Sequence, residues 1–215
     1  MPYYEKKPAS KQNYSPYTIK LPDPRKTGET PLEETINNRR SLREYSKAPL
    51  ELADLSQLLW AAQGLTDENG KRTVPSAGAL YPIEIYIAVE DVYGLEPGVY
   101  KYTSGEHSLA LIKTGEFLNE LSKAALNQPA VKRGVAAIVI AGVYERTTSK
   151  YSDRGKQYVH MEVGCASQNV YLQTESLNLG TVFIGAFEDD KVKQILNMAE
   201  NETPFSIMPI GRRLE

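Results

Sequence analysis

The sequence predicts an α+β protein in which helices pack around a mixed central β-sheet. Residues 83–89 place Ile or Val at every second position, the pattern of a β-strand, and residues 135–143 form an apolar run typical of a strand buried on both faces. Several other segments repeat apolar residues every three or four positions, which is the period of an amphipathic helix. The order of these segments along the chain favours the α+β class.

The N-terminal 28 residues differ in composition from the rest of the 215-residue chain. They contain five prolines and many polar residues, which predicts an extended arm over residues 1–28 rather than a folded unit. The remaining length fits one large domain, which we expect to span residues 29–215. A chain of this size can bury a hydrophobic core without disulfide bonds.

The first predicted helix is short and follows the arm. Thr30 is expected to cap it, Pro31 suits its first turn, and Glu33 would complete a capping box with Thr30. The helix should end near Asn38. It therefore delivers an arginine-rich segment, residues 39–43, at its end.

A second helix should begin at Pro49 and stop at Gly64. One face of it is marked by Leu52, Leu55, Leu58, Leu59 and Ala62. The strand at residues 83–89 follows. Two further short strands are predicted at residues 98–103 and 107–112, joined by a glycine-containing turn.

A helix is also predicted around residues 117–125, where the apolar positions are Phe117, Leu118, Leu121, Ala124 and Ala125. Residues 135–143 are the expected central strand. The longest helix should span about residues 157–178, with one face formed by Val159, Val163, Ala166, Val170 and Leu177. The small residues Gly164 and Ala166 in its middle would permit close approach by another backbone or a flat ring.

Three elements are predicted in the last part of the chain. Residues 181–187 have the pattern of a strand. Asp189 is then expected to cap a helix that carries Val192, Ile195 and Leu196. Residues 207–213 predict a short final strand that ends in two arginines.

Charge and residue usage exclude several classes of function. The net charge of -2 gives no reason to expect nucleic acid or an anionic membrane as a partner. The single cysteine, Cys165, excludes an internal disulfide and a cysteine-based zinc site, and only two histidines, His107 and His160, argue against a histidine-rich metal site. The sequence contains neither an apolar run of about 18 residues nor a signal peptide, so the expected location is cytoplasmic.

Two groups of basic residues are candidates for binding an anion: Arg39, Arg40 and Arg43 together with Ser41, and Arg212 with Arg213. The guanidinium fork matches the geometry of phosphate oxygens. The competing interpretation is a solvated basic surface with Glu33 and Glu44 nearby. Spacing alone favours that second interpretation, because most charge runs face water.

A run of small or rigid residues precedes the strand at residues 83–89: Pro75, Ser76, Ala77, Gly78 and Ala79. The pattern alone favours a tight loop. The functional interpretation is that backbone amides and small side chains leave room for a planar ligand. The glycine patterns of P-loops and of dinucleotide-binding turns are both missing from the sequence, so those binding modes lack support.

No nucleophile or general base is predicted from the residues themselves. Cys165 is expected to be a buried structural thiol rather than a nucleophile. His160 is expected to be a packed or surface histidine rather than a general base. Ser76 does not lie in a Gly-x-Ser-x-Gly turn, so a hydrolase triad is unsupported.

Five motifs occur in order along the chain: RRSLREY at 39–45, PSAGALYPIEIY at 75–86, EVGCASQNVYLQTESLNLG at 162–180, GAF at 185–187 and PIGRR at 209–213. Together they resemble the nitroreductase-like flavoprotein superfamily, and most closely its SagB/ThcOx-type branch of azoline oxidases. The resemblance covers about residues 30–213. It implies a nitroreductase-like fold, an intertwined homodimer, and FMN bound at the dimer interface.

The same resemblance implies which residues would contact FMN. The phosphate or the polar edge of the flavin would be contacted by Arg39, Arg40, Ser41 and Arg43, and the phosphate again by Arg212 and Arg213. The ring and ribityl chain would lie along Pro75, Ser76, Ala77, Gly78 and Leu80. Gln168 and the adjacent Asn169 match polar positions of the long helix, and Ile184 and Gly185 would lie near flavin N5. The small-residue loop would come from the partner of the subunit that supplies the arginines. The flavin would carry the chemistry, with the Gly185 backbone near N5, so no catalytic side chain and no metal are predicted.

The activity implied by the resemblance is two-electron, ping-pong hydride transfer through flavin N5, with NAD(P)H as a candidate electron donor. Residues 79–83 lack the Asn and Gln-Pro-Trp that many nitroreductases carry there. This departure favours an oxidase-like, SagB-type dehydrogenase over a nitroaromatic specificity. A small-molecule or peptide-derived substrate is expected, and a standalone flavin reductase and a peptide-modifying enzyme stay equally open. A non-catalytic flavin- or anion-binding sensor or scaffold is the alternative from another class.

The long helix is also where the two subunits are expected to meet. Its apolar face, from Val159 to Val170, is too apolar for a solitary surface helix, and the small residue Gly164 allows close packing against another chain. The resemblance implies that this helix packs at the two-fold axis. We therefore expect an obligate dimer interface above about 2,000 Å² that an arginine at Ala166 would disrupt.

Overall fold

A seven-stranded β-sheet forms the centre of the protein in the computed structural model, which describes residues 17–214. Its strands are β1 (Thr18–Lys20), β2 (Ile83–Val89), β3 (Gly98–Thr103), β4 (Ser108–Thr114), β5 (Ala136–Gly142), β6 (Leu179–Thr181) and β7 (Thr203–Arg212). Their spatial order is β1-β4-β3-β2-β5-β7-β6, and every neighbouring pair is antiparallel. The α+β class is confirmed. The sheet is antiparallel rather than mixed, since an apolar pattern marks the burial of a strand but not its direction.

Helices cover both faces of this sheet. They are α1 (Leu32–Asn38), α2 (Leu52–Gln63), α3 (Leu118–Ala124), α4 (Pro129–Arg133), α5 (Tyr144–Tyr151), α6 (Arg154–Ser176) and α7 (Asp189–Leu196). Helices α2 and α6 pack on one face, and α3, α4 and α7 cover the other. A hydrophobic core lies on each face of the sheet, and successive residues of β2 point into opposite cores, as Ile85 and Tyr86 do. Within residues 17–214, no helix is long and apolar enough to cross a membrane.

The elements with the strongest sequence patterns lie where they were expected. The bounds of β2 and β3 match the predicted ranges, and every residue of β5 is buried, which confirms its central position. Helix α2 ends at Gln63, and the backbone N–H of Gly64 donates to the Trp60 carbonyl at 2.7 Å. The stop at Gly64 is therefore confirmed, although the helix begins three residues after Pro49.

Several predicted boundaries were wrong. Pro31 is the N-cap of α1 and no side chain caps that helix, so the capping box at Thr30 does not form. Similarly, α7 begins at Asp189 with Glu188 as its N-cap and no side-chain cap. Strand β6 lies at residues 179–181 rather than 181–187, because the chain turns away after Thr181 and pairs again only through the isolated bridge between Ile184 and Ile207. Helices α4 and α5 were not predicted.

The N-terminal arm joins the sheet where the structure describes it. Thr18–Lys20 pair with β4 as an edge strand, and Leu21 is only 3% exposed. This part of the arm is extended, as predicted, but it belongs to the sheet and the core because Ile19 and Leu21 offer apolar surface between the prolines. Residues 1–16 of the predicted arm lie outside the described residues.

Candidate functional site

The arginine-rich segment after α1 is attached to α6 and β6. Ser41 Oγ lies 2.9 Å from the hydroxyl oxygen of Tyr171 on α6, and the Arg39 guanidinium lies 5.2 Å from the centroid of the Tyr171 ring. The backbone N–H of Leu42 donates to the Thr181 carbonyl at 2.9 Å. These contacts fix the segment at the end of β6 even though most of its side chains are exposed.

The positive charges of this segment are not balanced locally. Among the described residues, none of Arg39, Arg40 and Arg43 forms an ion pair with a carboxylate. The Arg40 guanidinium donates instead to two backbone carbonyls, and the neighbouring Glu44 pairs with Arg133. Three uncompensated guanidiniums within five residues make this corner of the protein suitable for an anion.

The segment predicted to lie near flavin N5 approaches the same corner. The backbone N–H of Phe183 donates to the Tyr171 hydroxyl at 2.7 Å. Ile184 then exchanges both of its backbone hydrogen bonds with Ile207, at 2.9 and 3.0 Å. Gly185 follows at the surface, and its N–H has no hydrogen-bond acceptor in the described part of the chain. A ligand at this corner can therefore reach a free backbone donor.

Sequence reasoning missed Tyr171, which connects these two segments. It lies on the long helix, is 9% exposed, and contacts Arg39, Ser41 and Phe183. Its position within the quoted motif EVGCASQNVYLQTESLNLG gave no signal of this role, because a helical tyrosine is compatible with the core. Only the tertiary arrangement brings the three partners to its ring and hydroxyl.

The two C-terminal arginines point to different neighbours. Arg213 donates through Nε to the Leu179 carbonyl at 3.0 Å and forms an ion pair with Glu175. It therefore lies beside β6. Arg212 donates through Nε to the Pro49 carbonyl at 3.0 Å and lies 3.5 Å from a carboxylate oxygen of Asp54. Arg212 is thus held against the start of α2, and the two guanidiniums are not brought together.

The small-residue loop is built from left-handed backbone. Ala77–Ala79 form a single 3-10 turn in which φ is 64° at Gly78 and 53° at Ala79, and Tyr81 follows at 45°. Such values are costly for residues other than glycine, so surrounding contacts must hold them. The backbone N–H of Tyr81 donates to Ser76 Oγ at 2.8 Å, and Arg146 donates to the Tyr81 carbonyl at 2.9 Å.

A buried carboxylate on α6 supports this loop. Glu162 is 5% exposed, and its Oε1 accepts the backbone N–H of Ala77 at 2.8 Å. Burial raises the pKa of Glu162, while the hydrogen bonds from Ala77 and Ser76 and the charge of Arg72 act in the opposite direction. Its Oε2 is buried without a hydrogen-bond partner in the structure. Sequence reasoning did not single out Glu162, although it begins one of the quoted motifs.

Two polar side chains at the end of α5 lie against Gly78. A β-carbon placed on Gly78 would be 2.8 Å from the Tyr151 hydroxyl oxygen and 2.9 Å from Lys150 Nζ. Only glycine fits there without displacing one of them. Lys150 and Tyr151 were also missed, since α5 lacks an apolar stripe that would have predicted a helix. They provide an ammonium group and a phenol beside the loop, which are groups able to hold or transfer a proton.

The arginine segment and the small-residue loop contact α6 at different points. The loop is held at Glu162 and the arginine segment at Tyr171, nine residues apart, which corresponds to about 13 Å along a helix axis. Gln168 is exposed between them, whereas Asn169 turns inward and donates to the carbonyls of Ala61 and Thr73 at 3.0 and 3.4 Å. The chain thus presents two separate groups of predicted site residues.

The predicted role of the apolar face of α6 was wrong. Val159, Val163, Ala166 and Val170 are 0–4% exposed and lie in the core of their own protomer, so they are not free to form an interface. The exposed face carries Met161, Gly164, Cys165 and Gln168. Cys165 is exposed rather than buried, because it lies one residue off the apolar stripe. His160 is a surface histidine, as predicted, with Nε2 2.5 Å from the Tyr144 hydroxyl.

The sequence is similar to those of several characterised or named proteins. The chain is 51% identical over 197 residues to a Methanocaldococcus jannaschii protein described as a nitroreductase, with 92% of this chain and 97% of that protein covered. It is 27% identical over 160 residues to McbC, the microcin B17-processing protein of Escherichia coli. That match spans 71% of this chain and 58% of McbC.

Solved structures with the same fold include two oxidoreductase-like proteins. A nitroreductase-type protein from Ralstonia eutropha superposes over 100% of both chains with a TM-score of 0.79 and 26% identity. The NADPH:FMN oxidoreductase of Vibrio harveyi, solved in complex with NAD+, gives a TM-score of 0.62 at 22% identity over 86% of this chain and 69% of that one. The sequence profile of the Nitroreductase family matches residues 36–212, a range that contains every predicted site residue except Arg213. The chain therefore belongs to the nitroreductase family, a family of flavin oxidoreductases.

Proposed function

We propose that this protein is an FMN-dependent oxidoreductase whose two active sites form between the subunits of a homodimer. The observation that carries the proposal is the cluster of arginines at residues 39–43, which form no ion pair with a described carboxylate. Tyr171 connects this cluster to residues 183–185, where the Gly185 N–H is free. A phosphate on the arginines and a flavin ring edge at Gly185 would satisfy both features with one ligand.

The residues present fit FMN at this corner. The phosphate would be held by the guanidiniums of Arg39 and Arg43 and by Ser41, since phosphate oxygens are hydrogen-bond acceptors only. Gly185 suits close approach by a ring, because its N–H is free and it carries no side chain between the backbone and a ligand. Arg213 would add charge beside β6 while it remains paired with Glu175.

The separation of the two groups on α6 supports a site shared between two subunits. The loop from Pro75 to Leu80 would cover the ring bound by the partner's arginines, as the family resemblance implies. Its backbone is already held in one conformation by Glu162 and Arg146. A loop of that kind loses little further entropy when a ligand binds.

The residues of the chain itself would bind FMN, orient it and supply protons. When bound, FMN supplies two-electron chemistry at N5. The Gly185 N–H would donate to the edge of the ring. Lys150 and Tyr151 lie beside Gly78 and would hold a proton next to the substrate. The loop would exclude water from the ring face.

We assign the protein to the SagB-type dehydrogenase branch within its family. Residues 79–83 support this assignment, and so does the match to McbC, which is named as a microcin-processing protein. A small-molecule or peptide-derived substrate would donate electrons in the first half of a ping-pong cycle, and an acceptor would remove them in the second. NAD(P)H is the alternative donor, by analogy with the Vibrio harveyi enzyme.

Spectroscopy of the purified protein tests the proposal. A yellow protein with flavin absorbance is expected, and its spectrum should bleach under anaerobic conditions with a donor and recover in air. NAD(P)H and azoline-containing peptides should be tried separately, since the first reports a reductase and the second a peptide-modifying dehydrogenase. A yellow protein that is inert to both would favour the sensor or scaffold interpretation. A protein that binds no flavin after incubation with FMN would contradict the proposal.

A further inference from the structure

Tyr171 holds together the two parts of the proposed flavin site. Its hydroxyl oxygen accepts the backbone N–H of Phe183 at 2.7 Å and lies 2.9 Å from Ser41 Oγ. The Arg39 guanidinium lies over its ring, 5.2 Å from the centroid. Because Tyr171 is 9% exposed on the long helix α6, the helix fixes its position and Tyr171 fixes that of its partners.

The hydrogens at this contact can be counted. Ser41 and Tyr171 carry one hydroxyl hydrogen each, and one of these two forms the bond between them. The Phe183 N–H occupies a lone pair of the tyrosine oxygen. One hydroxyl hydrogen therefore remains, and neither oxygen forms a further hydrogen bond with a residue in the range 17–214. The pair therefore has one hydroxyl hydrogen available for a ligand.

We infer that Tyr171 is a positioning residue for FMN, an inference that rests on the proposed function. Its hydroxyl sets the spacing between Ser41 on the phosphate side and residues 183–185 on the N5 side. It also orients the Ser41–Tyr171 pair so that the remaining hydrogen is donated to the phosphate. Ser41 is exposed, so without this contact its hydroxyl would sample several rotamers and bind the phosphate less well.

The test compares the affinity of the apoprotein for FMN and for riboflavin, which lacks the phosphate. Tyr171→Phe keeps the ring under Arg39 and removes the hydroxyl. It should weaken FMN binding about tenfold, and riboflavin binding much less, because the Ser41 hydroxyl loses the contact that orients it toward the phosphate. Tyr100→Phe is the matched control. Tyr100 is 1% exposed and its hydroxyl donates to the Glu96 carbonyl at 2.7 Å, away from the proposed site.

The affinity for FMN divided by the affinity for riboflavin distinguishes a positioning role of Tyr171 from a purely structural one. The ratio should fall in Tyr171→Phe and stay at the parental value in Tyr100→Phe, whatever their stabilities. Ser41→Ala, at an exposed position that tolerates substitution, should lower the ratio by itself. Adding Tyr171→Phe to it should lower the ratio no further, because the tyrosine acts through the serine. An unchanged ratio in Tyr171→Phe, or additive losses in the double variant, would overturn the inference. If the parent binds neither flavin, the proposed function itself fails.

Discussion

The backbone N–H of Ala77 donates to the buried carboxylate of Glu162 at 2.8 Å, which joins the small-residue loop to the middle of α6. The loop contains left-handed backbone at Ala79 and Tyr81, and both residues have side chains that disfavour it. Glu162 therefore helps to maintain a conformation that the loop sequence would not adopt by itself. A loop fixed in this way is ready for a ligand before the ligand arrives.

Substitution of Glu162 tests this support. Glu162→Gln retains an oxygen that accepts the Ala77 N–H but lacks the charge, whereas Glu162→Ala leaves that N–H without a partner at a cost of about 1–3 kcal/mol. We expect FMN affinity to decrease from parent to Gln to Ala, with the Ala variant roughly tenfold weaker than the parent. Titration of flavin fluorescence measures this order. Equal affinities in all three proteins would show that the loop does not depend on Glu162.

Gly78→Val tests whether the loop lies beside the flavin. Gly78 has φ of 64°, and its β-carbon would meet Tyr151 and Lys150 at 2.8 and 2.9 Å. Gly70→Val is a matched control, because Gly70 has φ of 83° but open space around its β-carbon. Both substitutions should cost about 1–2 kcal/mol of backbone strain. Only Gly78→Val should also lower flavin occupancy. Similar flavin occupancy in the two variants would mean that Gly78 is needed only for the turn and not for flavin binding.

The parts of the fold that the sequence predicted are those whose signal is local. The alternation in β2, the apolar run of β5 and the stop of α2 at Gly64 each depend on residues within one element. The capping box at Thr30 failed because Pro31 already fixes the first turn, and no side chain was needed there. Strand direction was not predictable, because burial patterns are the same in parallel and antiparallel sheets.

The site was predictable only where a motif carried it. The arginines and the small-residue loop were identified from motifs, and their roles in binding FMN stay predictions. Tyr171, Glu162 and Lys150 were not identified, because each acts on residues far away in the sequence. The apolar stripe of α6 was assigned to the wrong surface for a related reason. A stripe shows that a face is buried but not whether its own chain or a partner covers it.

Arg43→Ala tests the anion site with little structural side effect. Arg43 is exposed and makes no ion pair with any described residue, so its removal should not destabilise the protomer. Loss of a charged hydrogen bond to phosphate should weaken FMN binding by about 1.5–3 kcal/mol, roughly 10- to 100-fold. Lys132→Ala removes an exposed charge at the end of α4 and is the control. Flavin retention after dialysis should separate the two variants. Equal retention would exclude a phosphate role for Arg43.

His107 makes the stability of the arm attachment dependent on pH. Its Nε2 lies 2.9 Å from the Pro22 carbonyl and 2.8 Å from Ser56 Oγ, and its Nδ1 lies 2.8 Å from the Tyr102 hydroxyl. Burial lowers the pKa of His107, so the folded protein keeps the ring neutral at pH values where the unfolded chain binds a proton.

The sign of the pH effect follows. The stabilisation is complete above the unfolded pKa of about 6.5 and is lost as pH falls from there through the lowered folded pKa. Urea unfolding at about pH 5 and about pH 7.5 should show a smaller free energy of unfolding at the lower pH. His107→Asn tolerates the φ of 47° at this position and should reduce the pH dependence. An identical pH dependence in both proteins would mean that other groups cause it.

The exposed face of α6 is a candidate interface for the proposed homodimer. Ala166 is 0% exposed inside its own protomer, so Ala166→Arg would unfold the subunit and cannot test assembly. Gly164 is suitable, because it is exposed and a β-carbon there meets no atom within 4 Å. An arginine at this position also has a higher helix propensity than glycine, so the protomer itself should fold.

Gly164→Arg should therefore separate the subunits without unfolding them. If the exposed face of α6 packs on a second copy, the arginine would be buried without a partner in an interface above about 2,000 Å², at a cost of several kcal/mol. Monomer formation, measured by light scattering, and loss of FMN should then occur together, because each site takes the arginines from one chain and the loop from the other. Gly105→Arg, in the open turn between β3 and β4, is the control and should stay dimeric. A folded Gly164→Arg monomer that retains one FMN per chain would contradict the shared site.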